Sequence, residues 1–117
     1  MKAALIISHG SRLSETKEEV EALIQKLKEK DRLPIIKCAF LELESPDIPG
    51  GIDLCVEEGA TEIIILLNFL NSGRHVNADI PRIIAETQKK HPQVEIKTSQ
   101  PVGQHPKIVD LFLDMME

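Results

Sequence analysis

Four apolar runs punctuate the chain, and a stretch of helical periodicity follows each of them. "AALIIS" (3–8), "IIKCAFLEL" (35–43) and "EIIILLNFL" (62–70) are nearly continuous apolar segments rich in Ile and Leu. Continuous patterning is what a strand buried on both faces requires, as in a parallel sheet. "VEIKTS" (94–99) alternates instead, with Val94, Ile96 and Thr98 on one side, and predicts a half-exposed edge strand.

The intervening stretches read as helices. Over 15–30, Val20, Leu23, Ile24 and Leu27 recur at helical spacing and form one apolar stripe among Glu and Lys. A short helix near 50–58 carries Ile52, Cys55 and Val56 and stops at Gly59. A third is predicted to open near Asp79, which would serve as its N-cap, with Pro81 in the first turn, where a missing N–H costs nothing. The fourth lies in "HPKIVDLFLDMM", with Pro106 at its start and Ile108, Leu111, Phe112 and Met115 as its stripe. Strand and helix thus alternate four times with short connections, which predicts a single α/β domain over 1–117. The expected architecture is a sandwich around a four-stranded parallel sheet, with no internal repeat, low-complexity tract or linker.

That architecture has a consequence for the polar residues. Right-handed crossovers bring the carboxyl ends of parallel strands to one edge of the sheet. The first three runs end at "SHGS", "LELES" and "NSGRH", so His9, Glu42, Glu44 and the group Asn71 to His75 should gather there. With strands 1 and 3 adjacent and strand 2 outside strand 1, the chain reverses direction between 1 and 3, which is where open α/β sheets bind ligands. His9 and His75 would then face one another across a crevice. Neutral imidazole is a common ligand for divalent transition ions. Two His with one Glu form an incomplete set, unlike the four ligands of a structural zinc site. Such a set suits a metal that reacts or is handed on, and it also suits acid–base chemistry.

Each residue has a plainer reading. His9 and Gly10 could serve only the turn after strand 1, and His75 could be an exposed loop residue. Glu42 sits in an apolar run, where an unpaired carboxylate is costly, so it reaches the crevice or finds a cation. Glu44 reads as solvated, His91 as a cation at a helix end, and His105 as part of the turn into the last helix. Arg12 and Arg74 stand within three residues of His9 and His75 and suit carboxylates or phosphates, or are ordinary exposed arginines.

Composition removes several classes. Fourteen basic against nineteen acidic side chains give a net charge of −5, and there is no Trp or Tyr, so neither a basic face nor a stacking platform for nucleic acid is expected. No apolar run approaches membrane-spanning length, and "MKAALIISHGSR" is too soon interrupted to be a secretory signal. Cys38 and Cys55 form no CxxC pattern and read as packed, reduced thiols, and the chain as cytoplasmic.

"LIISHGSR" (5–12), "CAFLELESPDIPGGID" (38–53), "GATEIIILLNFLNSGRHVNADIP" (59–81) and "PVGQHPKIVDLF" (101–112) together resemble the small CbiX-type sirohydrochlorin chelatases of the class II chelatase superfamily. The one departure is "LNSGRHV", where more apolar or aromatic residues would be expected. The resemblance implies a chelatase-like three-layer fold and insertion of a divalent metal into sirohydrochlorin, a polycarboxylated tetrapyrrole. Co²⁺, towards cobalamin, is the first expectation. Ni²⁺ and Fe²⁺, towards the nickel tetrapyrrole of methanogens and sirohaem, are the alternatives. It implies His9 and His75 as metal-handling residues and Glu42 as the strand-2 glutamate. It further implies a homodimer standing in for the second domain of longer relatives, and no organic cofactor. Docking of the acidic arms is expected near Arg12 and Arg74 and the backbone around Gly10, Ser11, Ser72 and Gly73. Two rivals remain: a non-catalytic metal or tetrapyrrole carrier, and a histidine phosphatase suggested by "SHGSR".

Overall fold

In the computed structural model, which describes residues 1–117, the central strand is β1 (Lys2–Ser8), every residue of it beyond Lys2 being buried. It pairs in parallel with β2 (Ile35–Phe40) on one side and β3 (Glu62–Leu67) on the other, and β4 (Glu95–Pro101) lies outside β3. The order β2-β1-β3-β4 agrees with the arrangement assumed above for strands 1 to 3, with the reversal of direction between β1 and β3, and it makes β4 an exposed edge. Four helices complete the fold: α1 (Ser14–Glu29), α2 (Ile48–Glu57), α3 (Ile80–Gln88) and α4 (Ile108–Met115). No helix is long and apolar enough to cross a membrane.

The two faces of the sheet are covered unequally. Alternation along β1 sends Ala3, Leu5 and Ile7 to one side, where they meet Ile48, Ile52 and Cys55 of α2 and Ile80 of α3 in a core of 15 buried residues. Ala4 and Ile6 point the other way, into a core of six with Val20 and Ile24 of α1, Ile36 and Phe40. Burial of each such side chain is worth about 1.5–3 kcal/mol, so the first face holds most of the packing energy. On the α1 side Ile64 and Leu66 of β3 are only half-buried. The continuous apolar pattern of the third run therefore does not mean equal burial on both faces.

Several boundaries differ from the sequence expectation for local reasons. Strands 2 and 3 stop at Phe40 and Leu67, three residues short of the ends of their apolar runs. After Phe40 the chain curls around Leu43, whose φ of +69° lies in the left-handed region. The second helix starts at Ile48, because the Asp47 side chain accepts a hydrogen bond from the Gly50 N–H (2.8 Å) and caps it. Asp79 is not an N-cap. Its φ/ψ of −67°/−50° are already helical, and a π-helical turn over His75–Asp79 leads into α3. The stripe on α4 packs on nothing in the chain: Leu111, Phe112 and Met115 are all exposed. Both cysteines are free thiols. Burial pushes Cys55 up to about 11, and burial, aided by Glu21, raises Cys38, so neither is a ready thiolate.

Candidate functional site

The parallel ladder between β1 and β2 continues beyond the last residue of β2. The Leu41 N–H donates to the Ser8 carbonyl (2.9 Å) and the Glu42 N–H to the His9 carbonyl (3.0 Å), which lays Glu42 directly beside His9. The turn at Leu43 is closed by the Glu44 N–H on the Glu42 carbonyl (2.9 Å). Gly10 makes this approach possible. It has a φ of +101°, and a Cβ built there would stand 1.8 Å from the Glu42 carbonyl oxygen. Only glycine fits between these two loops.

With backbones so placed, His9 Nε2 meets Glu42 Oε1 at 2.7 Å. An ionised carboxylate only accepts, so Nε2 carries the proton and Nδ1 keeps the free lone pair. Glu42 thus resolves the choice left open by its apolar neighbours: it is exposed beyond the strand and paired with a histidine rather than with Lys or Arg.

The second imidazole is positioned differently. Beyond β3 the ladder is extended by the Asn68 N–H on the Ile7 carbonyl (2.9 Å), and the Asn68 amide donates to the buried Ser8 hydroxyl (3.0 Å). Loop 69–74 then leads into the π-helical turn, where Val76 is buried and anchors the turn to the core. The turn sets His75 and Asp79 side by side, with His75 Nδ1 2.8 Å from Asp79 Oδ2. By the same reasoning Nδ1 carries the proton and Nε2 is free. Arg82 lies 3.8 Å from the other Asp79 oxygen.

The two rings meet at the switch point, with centroids 5.2 Å apart and planes at 88°. Both are about half exposed, so solvent and ligand reach them. No cluster of three His, Cys, Asp or Glu side chains converges as a closed metal site. Two imidazoles, each tethered by a carboxylate on its other nitrogen, form an open pair of nitrogen donors.

The neighbouring candidates fall into two groups. Arg12 and Arg74 are exposed and take part in no ion pair. Arg12 lines a polar cleft of about 430 Å³ with Ser11, Lys17 and Glu44. Ser72 and Gly73 lie on the exposed loop before His75. The Ser11 N–H, by contrast, is engaged within the chain, donating to Glu44 Oε1 (2.7 Å), and the Ser11 hydroxyl accepts from the Leu13 N–H (3.0 Å). Glu44 is therefore half-buried and bound rather than solvated. His91 Nε2 pairs with Asp53 (2.7 Å), tying the end of α3 to α2, and His105 Nδ1 accepts from the Lys107 N–H within its own turn. Asp79 and Asn68 escaped the sequence reading as site residues. Asp79 carried a signal, its i,i+4 spacing from His75.

The model of the CbiX family matches residues 3–117. The chain is 38% identical over 114 residues to a sirohydrochlorin ferrochelatase of Priestia megaterium, covering 97% of this chain and 43% of that protein. A sirohydrochlorin cobaltochelatase of Methanocaldococcus jannaschii is 30% identical over an aligned 138 residues, covering 97% of this chain and 96% of its own length. In structure the chain resembles the sirohydrochlorin chelatase SirB of Bacillus subtilis subspecies spizizenii, solved in complex with cobalt. The TM-score is 0.88 at 31% identity, over 98% of this chain and 49% of that one. The chain spans about half the length of the Priestia and Bacillus proteins and nearly all of the archaeal one. Fold, order of motifs and family match agree: this chain belongs to the CbiX family.

Proposed function

We propose that this chain inserts a divalent metal ion into sirohydrochlorin, releasing two protons, with His9 and His75 presenting the ion. The observation that carries the reading is the pair of adjacent imidazoles at the switch point, each held through one nitrogen by a carboxylate and open at the other. A metal bonded at about 2.1 Å lies about 3.2 Å from the centroid of the ring that binds it, so two rings sharing one ion at a tetrahedral angle sit about 5 Å apart. The observed 5.2 Å agrees with that spacing. Two nitrogen donors, with water in the remaining positions, hold an ion firmly enough to orient it and loosely enough to release it.

As the pyrrole nitrogens replace the imidazoles on the metal, each imidazole regains a lone pair and can accept one N–H proton. Two ligands are lost and two protons are taken, and Glu42 and Asp79 stabilise the resulting imidazolium ions. No covalent intermediate or organic cofactor enters. The unpaired Arg12 and Arg74 are suited to the carboxylate arms of the macrocycle, as is the exposed backbone around Gly10, Ser72 and Gly73. Metal binding weakens as pH falls, because a protonated imidazole has no lone pair, with a limiting slope of two protons per ion.

Cobalt is the preferred metal in this reading, since the relative matched over nearly its whole length bears the name cobaltochelatase. Iron is the second, because the 38%-identical relative is named a ferrochelatase. The functional unit is a homodimer, a second copy standing where the longer relatives continue.

Metallation of sirohydrochlorin followed by absorbance tests the reading. His9→Ala and His75→Ala are each expected to lose at least about 100-fold in rate, the scale on which a first-sphere group acts. Near wild-type rates in both would overturn it. Turnover with limiting protein separates an enzyme from a carrier, which stops at one equivalent, and the ratio of Co²⁺ to Fe²⁺ rates decides the metal.

A further inference from the structure

Two apolar surfaces of this chain are left unpartnered, and no residue of the first lines the second. One is α4. Val109, Leu111, Phe112, Leu113, Met115 and Met116 are each more than half exposed, which is a large contiguous apolar surface for so small a domain. The other is a groove of about 560 Å³ on the α1 side of the sheet, floored by Ile6 and Leu66 and walled by Leu23 and Leu27 of α1. Ser99, Val102 and His105 form its opposite border, and no residue of α4 lines it.

We infer that α4 of one copy docks in this groove of a second copy, reciprocally, so that the homodimer proposed above is held by exchanged C-terminal helices. The dimensions agree. The eight residues of α4 make a rod about 12 Å long. On this face β3 is apolar at Ile64 and Leu66, and the groove continues to Asn68, a run of about 13 Å at the rise of a strand. Towards the amino ends of the strands the same face turns ionic: Glu62 lies 3.7 Å from both Lys2 and Lys97, and Lys97 lies 3.6 Å from Glu95. That ladder closes the apolar floor and suits water, so a short helix is all the face can bury.

The exit of α4 from its own domain is fixed at the rim of its own groove, where Val102 and His105 lie. The Gly103 N–H donates to the Phe69 carbonyl (3.0 Å), and the Gln104 side-chain amide to the Leu70 carbonyl (3.0 Å). A Cβ on Gly103 would stand 2.0 Å from the Leu70 oxygen, so this clamp is built for close backbone contact. From it α4 runs outward with its stripe uncovered. In a two-fold pair each projecting helix meets a groove, and both apolar surfaces are buried twice by one symmetry operation.

Light scattering on the purified chain tests this. The wild type is expected at twice its 13.1 kDa mass at about 50 µM. Phe112→Asp on the helix and, separately, Leu23→Asp on the groove wall are expected to return it to 13.1 kDa, weakening association by at least about 100-fold. Both side chains are exposed in the single chain, so neither change should unfold it, and circular dichroism melts check that. A dimer that survives Leu23→Asp, as pairing of α4 with α4 would give, overturns the exchange while leaving the homodimer intact. A wild-type monomer overturns both. A monomer would thus also remove the homodimer as the functional unit, whereas metal insertion itself is scored separately, by turnover.

Discussion

The two imidazoles of the site reach the same edge by different means. His9 is held by a residue 33 positions away, through a ladder that continues past the end of β2 and a glycine that lets two loops touch. His75 is held by a residue four positions away, inside one wide helical turn. One arm is a product of tertiary packing and the other of local structure. The first should therefore be fragile to backbone change and the second only to loss of its own carboxylate.

The glycines of the two loops give the sharpest contrast, and Gly10 the largest expected effect. Gly10→Ala forces a Cβ into the Glu42 carbonyl at a positive φ, so a loss of about 3 kcal/mol or more is expected. Thermal melting should show a fall of about 10 °C or more, and Co²⁺ binding should fall with it. A melt within about 2 °C of wild type would mean the loops separate freely and that the His9 arm is not tertiary in the sense described.

Next come the carboxylates. Glu42→Ala and Asp79→Ala each free an imidazole to rotate and change tautomer, and Co²⁺ affinity by calorimetry should drop about 10- to 100-fold in each. Their melts should stay close to wild type, because both groups act on exposed rings. If Asp79→Ala binds Co²⁺ as tightly as wild type, the local arm needs no orienting group and the two arms are not equivalent.

A smaller effect is expected at Glu44, which holds the Ser11 N–H and so supports the loop behind His9. Glu44→Ala should cost about 1 kcal/mol in a denaturant titration, the net worth of such a bond, and lower Co²⁺ affinity only a few-fold. The smallest effect belongs to the other loop. A Cβ on Gly73 meets nothing within 4 Å, so Gly73→Ala should shift the melt by less than about 2 °C and leave Co²⁺ affinity unchanged.

The same division separates what the chain's pattern determined from what packing decided. Alternating apolar runs and helical stripes were enough for four strands, four helices and a parallel sheet, because side-chain burial follows a period of two or 3.6 residues whatever the partner. With parallel strands and an assumed strand order, which only the structure supplied, that pattern carried His9 and His75 to one edge. It could not reveal that Glu42 pairs with His9, since this depends on a ladder running past Phe40 and on a left-handed turn at Leu43. Nor could it reveal that Glu44 is consumed by the Ser11 N–H or that the stripe on α4 finds no partner in its own chain, whereas the role of Asp79 was legible in its spacing from His75 and was missed. Periodicity reports that a side chain seeks burial or solvent. Which atom it meets is settled by where another part of the backbone arrives, and only the folded molecule contains that.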